Sequence, residues 1–227
     1  MKKDIANVAI IGAGPDSLFA ALELINHGIK DIVIFDKGPS IDTRTPKDTM
    51  CGVGGSGTYS DGKLIFSLNL SQERLLDFLP APQVQAILSR LEQDFINFGV
   101  TAPSTPTDLD QVNQLVKECR RFNVKLYVKT CRHVGSDALP AVIKNIVSKL
   151  SKTGVKFITD TDIKTFSKKG KIFELVGDRK NFYSNILLVA PGRVGTKWLQ
   201  NISEVIGLDY EYQKVEVGVR FEFPSTV

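Results

Sequence analysis

The stretch that most constrains this chain is its first thirty-six residues. An apolar run, residues 5–11, enters Gly12-Ala13-Gly14-Pro15-Asp16-Ser17, which opens an amphipathic segment ending at His27-Gly28. A second apolar run, residues 32–35, is closed by Asp36. Leu18, Phe19, Leu22 and Ile25 recur at helical spacing, and Gly28 supplies the helix stop. The pattern predicts a strand, a glycine turn, a helix and a second strand with an acid at its tip.

Such a unit suits a dinucleotide. Its turn exposes backbone N–H groups at a helix N-terminus, where unpaired donors and the helix dipole both favour a pyrophosphate. Gly12 permits the tight turn, Gly14 lets phosphates reach the backbone, and Pro15 and Ser17 fall in the first helical turn. Asp36, followed by Lys37, stands where an acid accepts hydrogen bonds from a ribose diol. Ser17 replaces the third glycine of Gly-x-Gly-x-x-Gly. A lone Gly-x-Gly also occurs in ordinary βαβ turns; here strand, helix, second strand and acid accompany it.

Composition narrows the class. The chain has 227 residues, 42% hydrophobic and 24% charged, as expected of a globular protein with a real core. Its net charge of +4 is scattered rather than blocked, so no nucleic-acid partner is expected. Cys51, Cys119 and Cys131 form no CxxC and have no partnering histidine spacing, which argues against a disulfide framework or a metal site and for a reducing, cytoplasmic setting. No run approaches the roughly 20 apolar residues of a membrane span.

Residues 37–63 are rich in Gly, Thr, Ser and Asp. Within them Cys51-Gly52-Val53-Gly54-Gly55-Ser56-Gly57-Thr58 cannot pack a core, and its glycines suggest close backbone approach to a ligand. A flexible surface linker is the other reading, against which stands the specific sequel Tyr59-Ser60-Asp61-Gly62-Lys63-Leu64. From 71 to 121 the pattern is helical: a short helix capped by Ser71, a second from Pro82 carrying Val84, Leu88 and Phe95, and a third after Asp108 with Leu109, Leu115 and Cys119 on its apolar face. That face makes Cys119 a core residue. Residues 124–129 alternate as a strand. A further helix, capped by Ser136 or Asp137, buries Leu139, Val142, Ile143 and Leu150. Next come a short strand at 155–159 and a three-stranded meander over 163–166, 171–176 and 182–183, with a Lys-Lys-Gly turn at 168–170. The apolar strand 186–189 is separate and runs into Ala190-Pro191-Gly192, a small-residue exit at the strand end where ligands bind in open α/β sheets. A last helix carries Trp198 and Ile202, and residues 215–223 alternate as a half-buried strand.

Four stations in this order carry a resemblance: Gly12-Ala13-Gly14-Pro15 with Asp36, the loop 54–64, the stretch Arg132-His133-Val134-Gly135-Ser136-Asp137-Ala138-Leu139, and residues 215–220. Together they resemble the poorly characterised FAD-dependent dehydrogenase family of the glutathione-reductase-like flavoprotein superfamily. Residues 187–192 look like that superfamily's second conserved strand. The resemblance implies an α/β fold, with a Rossmann-like FAD-binding parallel sheet, an antiparallel β-meander and a helical insertion. It implies a first part of the FAD domain at 1–68, the insertion at 69–132, the second part with the meander at 133–207, and the start of a truncated substrate domain at 208–227. In its terms Gly12, Gly14, Pro15 and Ser17 hold the FAD pyrophosphate, and Asp36 and Lys37 the adenosine side. Gly54, Gly55, Ser56, Gly57 and Thr58 hold the flavin side with Ala190, Pro191 and Gly192, and the backbone near Ile163 holds the adenine. The implied function is that of an FAD-dependent oxidoreductase of unknown small-molecule substrate, with NAD(P)H as a possible electron donor. Three departures stand out: Asp16-Ser17 where the family has small residues, Pro191 for a threonine, and the family's continuation beyond the position of Val227. The last leaves two other readings open: a non-catalytic FAD-binding fragment, or a chain whose C-terminal half is supplied by another polypeptide. An NAD-binding protein without flavin is a third. Among chemical candidates, His133 is a better acid–base residue than Cys51, although a structural or solvent-facing histidine is the commoner case, and Cys51, lacking a second cysteine, is no dithiol centre. Asp61 and Lys63 are equally turn residues or anion contacts, and His27 completes a helix end.

Overall fold

The computed structural model describes residues 5–68 and 73–212. Strand β1 (Ile5–Ile11) leads through the glycine turn into helix α1 (Pro15–Asn26) and back to β2 (Ile32–Phe35), parallel to β1 with Val8 opposite Ile32 and Ile11 opposite Phe35. After the long loop come β3 (Lys63–Leu64), α2 (Ala81–Asn97), β4 (Ser104–Thr105), α3 (Leu109–Arg121) and β5 (Cys131–His133). They are followed by α4 (Leu139–Lys152), β6 (Lys156–Ile158), β7 (Ile163–Lys169), β8 (Ile172–Gly177), β9 (Asn181–Val189) and α5 (Thr196–Ile206). Six strands form one sheet in the order β6-β2-β1-β9-β8-β7, of which the first four run parallel. Strands β3, β5 and β4 make a small antiparallel sheet. The architecture is the expected α/β class, a Rossmann-like parallel sheet continued by an antiparallel meander.

Strands β1 and β2 are apolar on both faces because both faces are covered. Val8, Ile10, Ile32 and Ile34 meet Leu18 and Ala21 of α1 and Val142, Ile146 and Leu150 of α4. Ala9, Ile11, Val33 and Phe35 meet Ile163 and Leu175 of the meander, with Trp198 of α5 at the margin. Each fully buried Ile or Leu here contributes about 1.5–3 kcal/mol of transfer free energy. Gly28, with φ +76°, ends α1 as expected, its N–H donating to Ile25 O at 2.8 Å.

Several local expectations change. The meander's last strand and the apolar strand 186–189 are one continuous β9. Its first half pairs antiparallel with β8, Val176 opposite Asn181, while Tyr183 to Val189 pair parallel with β1. Ser184 and Asn185 read as a break, yet Ser184 is fully buried where the strand passes between its two partners. The hairpin turn between β7 and β8 is Gly170-Lys171, with Lys169 opposite Ile172. Residues 124–129 form no strand: alternation alone does not make one without a neighbour to take its backbone groups. Helix α3 forms, with the Asp108 side chain accepting from Gln111 N–H at 2.9 Å, but it has no buried residue and Cys119 is only half-buried. Helix α4 begins after Ala138 without a side-chain cap, so neither Ser136 nor Asp137 serves. The segment near 73–77 is a 3₁₀ turn, and the expected cap Ser71 and the strand 215–223 lie outside the described residues.

Candidate functional site

A cavity of about 390 Å³ opens at the carboxyl ends of β1, β2 and β9. Its wall draws on segments far apart in sequence: the turn after β1, the acid after β2, the loop 50–57, the start of the meander and the turn after β9.

The turn after β1 is built from the inside. Gly12 N–H donates to Phe35 O at 2.8 Å and Ala13 N–H to Asp36 Oδ2 at 2.9 Å. Gly12 has φ +95°, and a Cβ there would stand 2.1 Å from Ala190 O, so only glycine lets β9's exit pass. Gly14 is different. It has φ −72° and ψ 178°, the extended conformation that a following proline imposes, and a Cβ would meet nothing nearer than Gly55 Cα at 4.0 Å. Its N–H and those of Asp16 and Ser17 have no partner among the described residues. Asp16 is exposed on the cavity's lip, whereas Ser17 is buried off the wall, its Oγ without a partner.

Asp36 is already at work within the protein. Its carboxylate accepts from Ala13 N–H, from Gly38 N–H at 2.8 Å and from Gly52 N–H at 3.0 Å, joining three loops. Of the roughly four acceptor positions of a carboxylate, one on Oδ2 remains for a ligand hydroxyl. Lys37 lines the same side.

The glycine loop divides its residues between wall and scaffold. Gly55, Ser56 and Gly57 line the cavity, and the N–H groups of Ser56 and Gly57 have no partner among the described residues. Gly54 and Thr58 sit behind them: Gly54 N–H donates to Ala13 O at 2.8 Å, and a Cβ on Gly54 would meet Thr58 Oγ1 at 2.3 Å. Both were expected to touch the cofactor, and the structure places both off the wall. The residue organising this loop is Arg44, which the sequence reading did not single out. It is 5% exposed, and its guanidinium donates to Asp48 O, Thr49 O, Gly52 O, Val53 O and Thr58 Oγ1 at 2.8–3.2 Å. Burial draws its pKa down from the ordinary arginine value, against the opposing pull of Tyr59 and Asp36.

Ile163 lies on the wall at the head of β7. Ala190, Pro191 and Gly192 line the turn after β9, where Ala190 N–H donates to Ile11 O at 2.9 Å. A Cβ on Gly195 would come within 2.3 Å of Pro191 Cβ, so Pro191 is matched by glycine where the chain turns into α5. Cys51 joins the wall. His133 does not: it is exposed on β5 opposite Lys63. Lys63 pairs with Asp61 at 3.0 Å, and this bond holds the Asp61 carboxyl below its usual range. Both are solvent-facing. His27 caps the C-terminal end of α1 beside Glu23. Among the described residues no group of three or more His, Cys, Asp or Glu side chains is placed to hold a metal ion, and no helix is long and apolar enough to cross a membrane.

No family model matches the chain. An uncharacterized protein of Clostridium beijerinckii is 26% identical over 237 aligned residues, which cover 97% of this chain and 37% of that protein. Among solved structures, L-amino acid deaminase from Proteus vulgaris, with its specific insertion deleted, superposes with a TM-score of 0.55 at 14% identity, over 89% of this chain and 57% of that one. Glycine oxidase from Bacillus cereus gives 0.51 at 13% identity, over 86% and 58%. The 3-ketosteroid-delta4-(5alpha)-dehydrogenase of Rhodococcus jostii gives 0.52 at 11% identity, over 83% and 46%. At these identities the likeness is one of fold. The chain spans little more than a third of the curated relative and about half of these structures.

Proposed function

We propose that the cavity holds FAD and that the chain supplies the cofactor-binding part of an FAD-dependent oxidoreductase. The observation that carries this reading is the pair of unclaimed N–H groups of Gly14 and Asp16 on the wall at the start of α1, with that of Ser17 buried behind them, together with a Gly14 whose missing side chain the protein itself does not require. A pyrophosphate uses both. Asp36 would take one ribose hydroxyl on its remaining acceptor position, and the backbone near Ile163 would face the adenine. The unpartnered N–H groups of Ser56 and Gly57 and the Ala190-Pro191-Gly192 turn, both on the cavity wall, would serve the flavin side. Pro191 brings no N–H to that turn, so the flavin side relies on its neighbours. Bound there, FAD supplies electron transfer; the protein supplies position, exclusion of water and electrostatic tuning. The names of the structural neighbours, a deaminase, an oxidase and a dehydrogenase, agree with redox use of such a fold. His133, exposed on β5, stands off this wall.

The test is the visible spectrum of the purified chain before and after incubation with FAD and gel filtration. Retained bands near ~375 and ~450 nm, the range of an oxidised flavin, are expected. A protein that stays colourless overturns the reading.

A further inference from the structure

We infer that Arg44 is the positioning residue of this cavity: a buried cation that fixes the glycine loop and, through two peptide units in series, polarises the Gly14 N–H offered to an anionic ligand. The ligand's identity rests on the proposed function; the internal arrangement does not. Arg44 is almost fully buried, yet every acceptor it meets is neutral: four backbone carbonyls and the Thr58 hydroxyl. No carboxylate among the described residues forms an ion pair with it. Buried charges are ordinarily paired, so an arginine whose hydrogen bonds all go to neutral acceptors keeps its positive charge directly beneath the loop, opposed only from a distance by the carboxylates of Asp36 and Asp48.

That field has a route. Arg44 Nη1 donates to Val53 O at 2.8 Å, and the other end of the same peptide unit, Gly54 N–H, donates to Ala13 O at 2.8 Å. The other end of the Ala13 unit is Gly14 N–H, which has no partner. A trans peptide sets its N–H opposite its C=O, so the two units lie head to tail. Hydrogen bonds in such a chain strengthen one another by roughly 10–30% per bond in condensed-phase estimates. The loop is shaped for this purpose, because Gly52, at φ +105°, would drive a Cβ to 2.9 Å from Arg44 Cδ. Lysine has three donors and no planar fork, and cannot serve the same acceptors.

The experiment compares the 227-residue chain with its Arg44→Lys and Arg44→Ala variants. Three readouts are taken: the FAD dissociation constant from flavin fluorescence quenching, the amide resonance of Gly14 by ¹H–¹⁵N NMR without FAD, and rescue of Arg44→Ala by guanidinium ion. Arg44→Lys is expected to weaken FAD by about tenfold, as loss of hydrogen bonds to a charged group does, and to move the Gly14 amide proton upfield while Gly170, in the distant hairpin, stays in place. Guanidinium is expected to restore both properties in Arg44→Ala. If Arg44→Ala fails to fold, Arg44→Lys decides alone. An unmoved Gly14 resonance in Arg44→Lys overturns the inference, whether or not affinity falls, because a mere loop staple would produce that result. Should the wild-type chain take no FAD, the cofactor reading falls, and the Gly14 resonance still judges Arg44.

Discussion

Gly12 and Gly14 stand two residues apart in one turn, and the structure gives them opposite reasons for being glycine. Alanine at Gly12 would have to hold φ +95° with its Cβ 2.1 Å from the backbone oxygen of Ala190. Neither contact can relax without moving β9's exit, so a loss of about 3 kcal/mol or more is expected from overpacking and strain together, roughly 6 °C or more in Tm for a chain of this size. Alanine at Gly14 adopts the existing φ −72° without strain, and its nearest neighbour, Gly55 Cα, is 4.0 Å away. Reduced freedom of the unfolded chain stabilises this variant by about 0.4–1 kcal/mol. Alanine is also a poorer N-cap than glycine, by an amount on the order of 0.5–1 kcal/mol. The two effects offset, so without ligand Tm should move by less than about 2 °C. If the cavity holds FAD as proposed, Gly14→Ala should fail in binding it, because the methyl would occupy the face across which phosphates would reach the N–H groups of Gly14 and Asp16; a loss of about a hundredfold corresponds to two good phosphate hydrogen bonds. Differential scanning calorimetry of the apo-protein and a flavin-quenching titration read the two quantities separately. A Gly14→Ala chain that binds FAD like the wild type, or one that unfolds as readily as Gly12→Ala, would refute the reasoning.

Three other outcomes follow from single side chains. Ser17→Ala removes a buried hydroxyl that has no partner, and should raise stability by about 1 kcal/mol, or some 2–4 °C in Tm by calorimetry; an unchanged or lower Tm would mean that the hydroxyl is satisfied in solution. Asp16→Asn removes a charge from the cavity's lip; for a pyrophosphate about 6 Å away, repulsion of roughly 0.7–2.8 kcal/mol is relieved for effective dielectrics of ~80 to ~20. Because Asp16 is exposed, a tightening of FAD near threefold, shrinking with added salt, is expected by titration, and an unchanged Kd would place the carboxylate away from the phosphates. Glu174 has its pKa pulled down to about 2 by hydrogen bonds from Lys169, Tyr183 and Asn181. Its folded value lies below the unfolded one of about 4.3, so its contribution is present above that pH and is lost as pH falls toward the folded value. Glu174→Gln should therefore flatten the acid limb of the stability curve between those limits, as followed by urea melts, and an unaltered limb would assign the acid sensitivity to other groups.

The parts of the fold legible in the sequence are those where one residue pattern answers to one environment. Strands β1 and β2 are buried on both faces and read as unbroken apolar runs, and α1 alternates between the sheet and solvent and ends at Gly28. Strand β9 was harder because it answers to two partners: Ser184 and Asn185 interrupt the apolar run at the place where β8 leaves and β1 continues, so one strand reads as two. Residues 124–129 and the face of α3 fail in the opposite sense. Their apolar periodicity is real, but Leu115, Val124 and Tyr127 stand exposed, and a pattern cannot say whether anything covers it.

At the site the same distinction separates what spacing reveals from what only folding creates. Gly12, Gly14 and Asp36 are recognisable because a tight turn, a helix start and an acid after the second strand stand at fixed offsets in a βαβ unit of the kind proposed to hold a phosphate and a ribose. Gly54 and Thr58 belong to the loop that lines the cavity, but they stand off its wall, and a run of glycines carries no periodicity from which facing could be read. Arg44 is the extreme case. Apart from the Thr58 hydroxyl, its partners are the carbonyls of Asp48, Thr49, Gly52 and Val53, groups that every residue owns, so no pattern of side chains announces the contact. What makes it possible is the positive φ of Gly52, which lets the loop wrap the guanidinium stem. A glycine that looked like room for a ligand is, at that position, room for an arginine. The space left for the ligand is at Gly14 and Gly57, where an added Cβ would meet no protein atom closer than 4.0 Å.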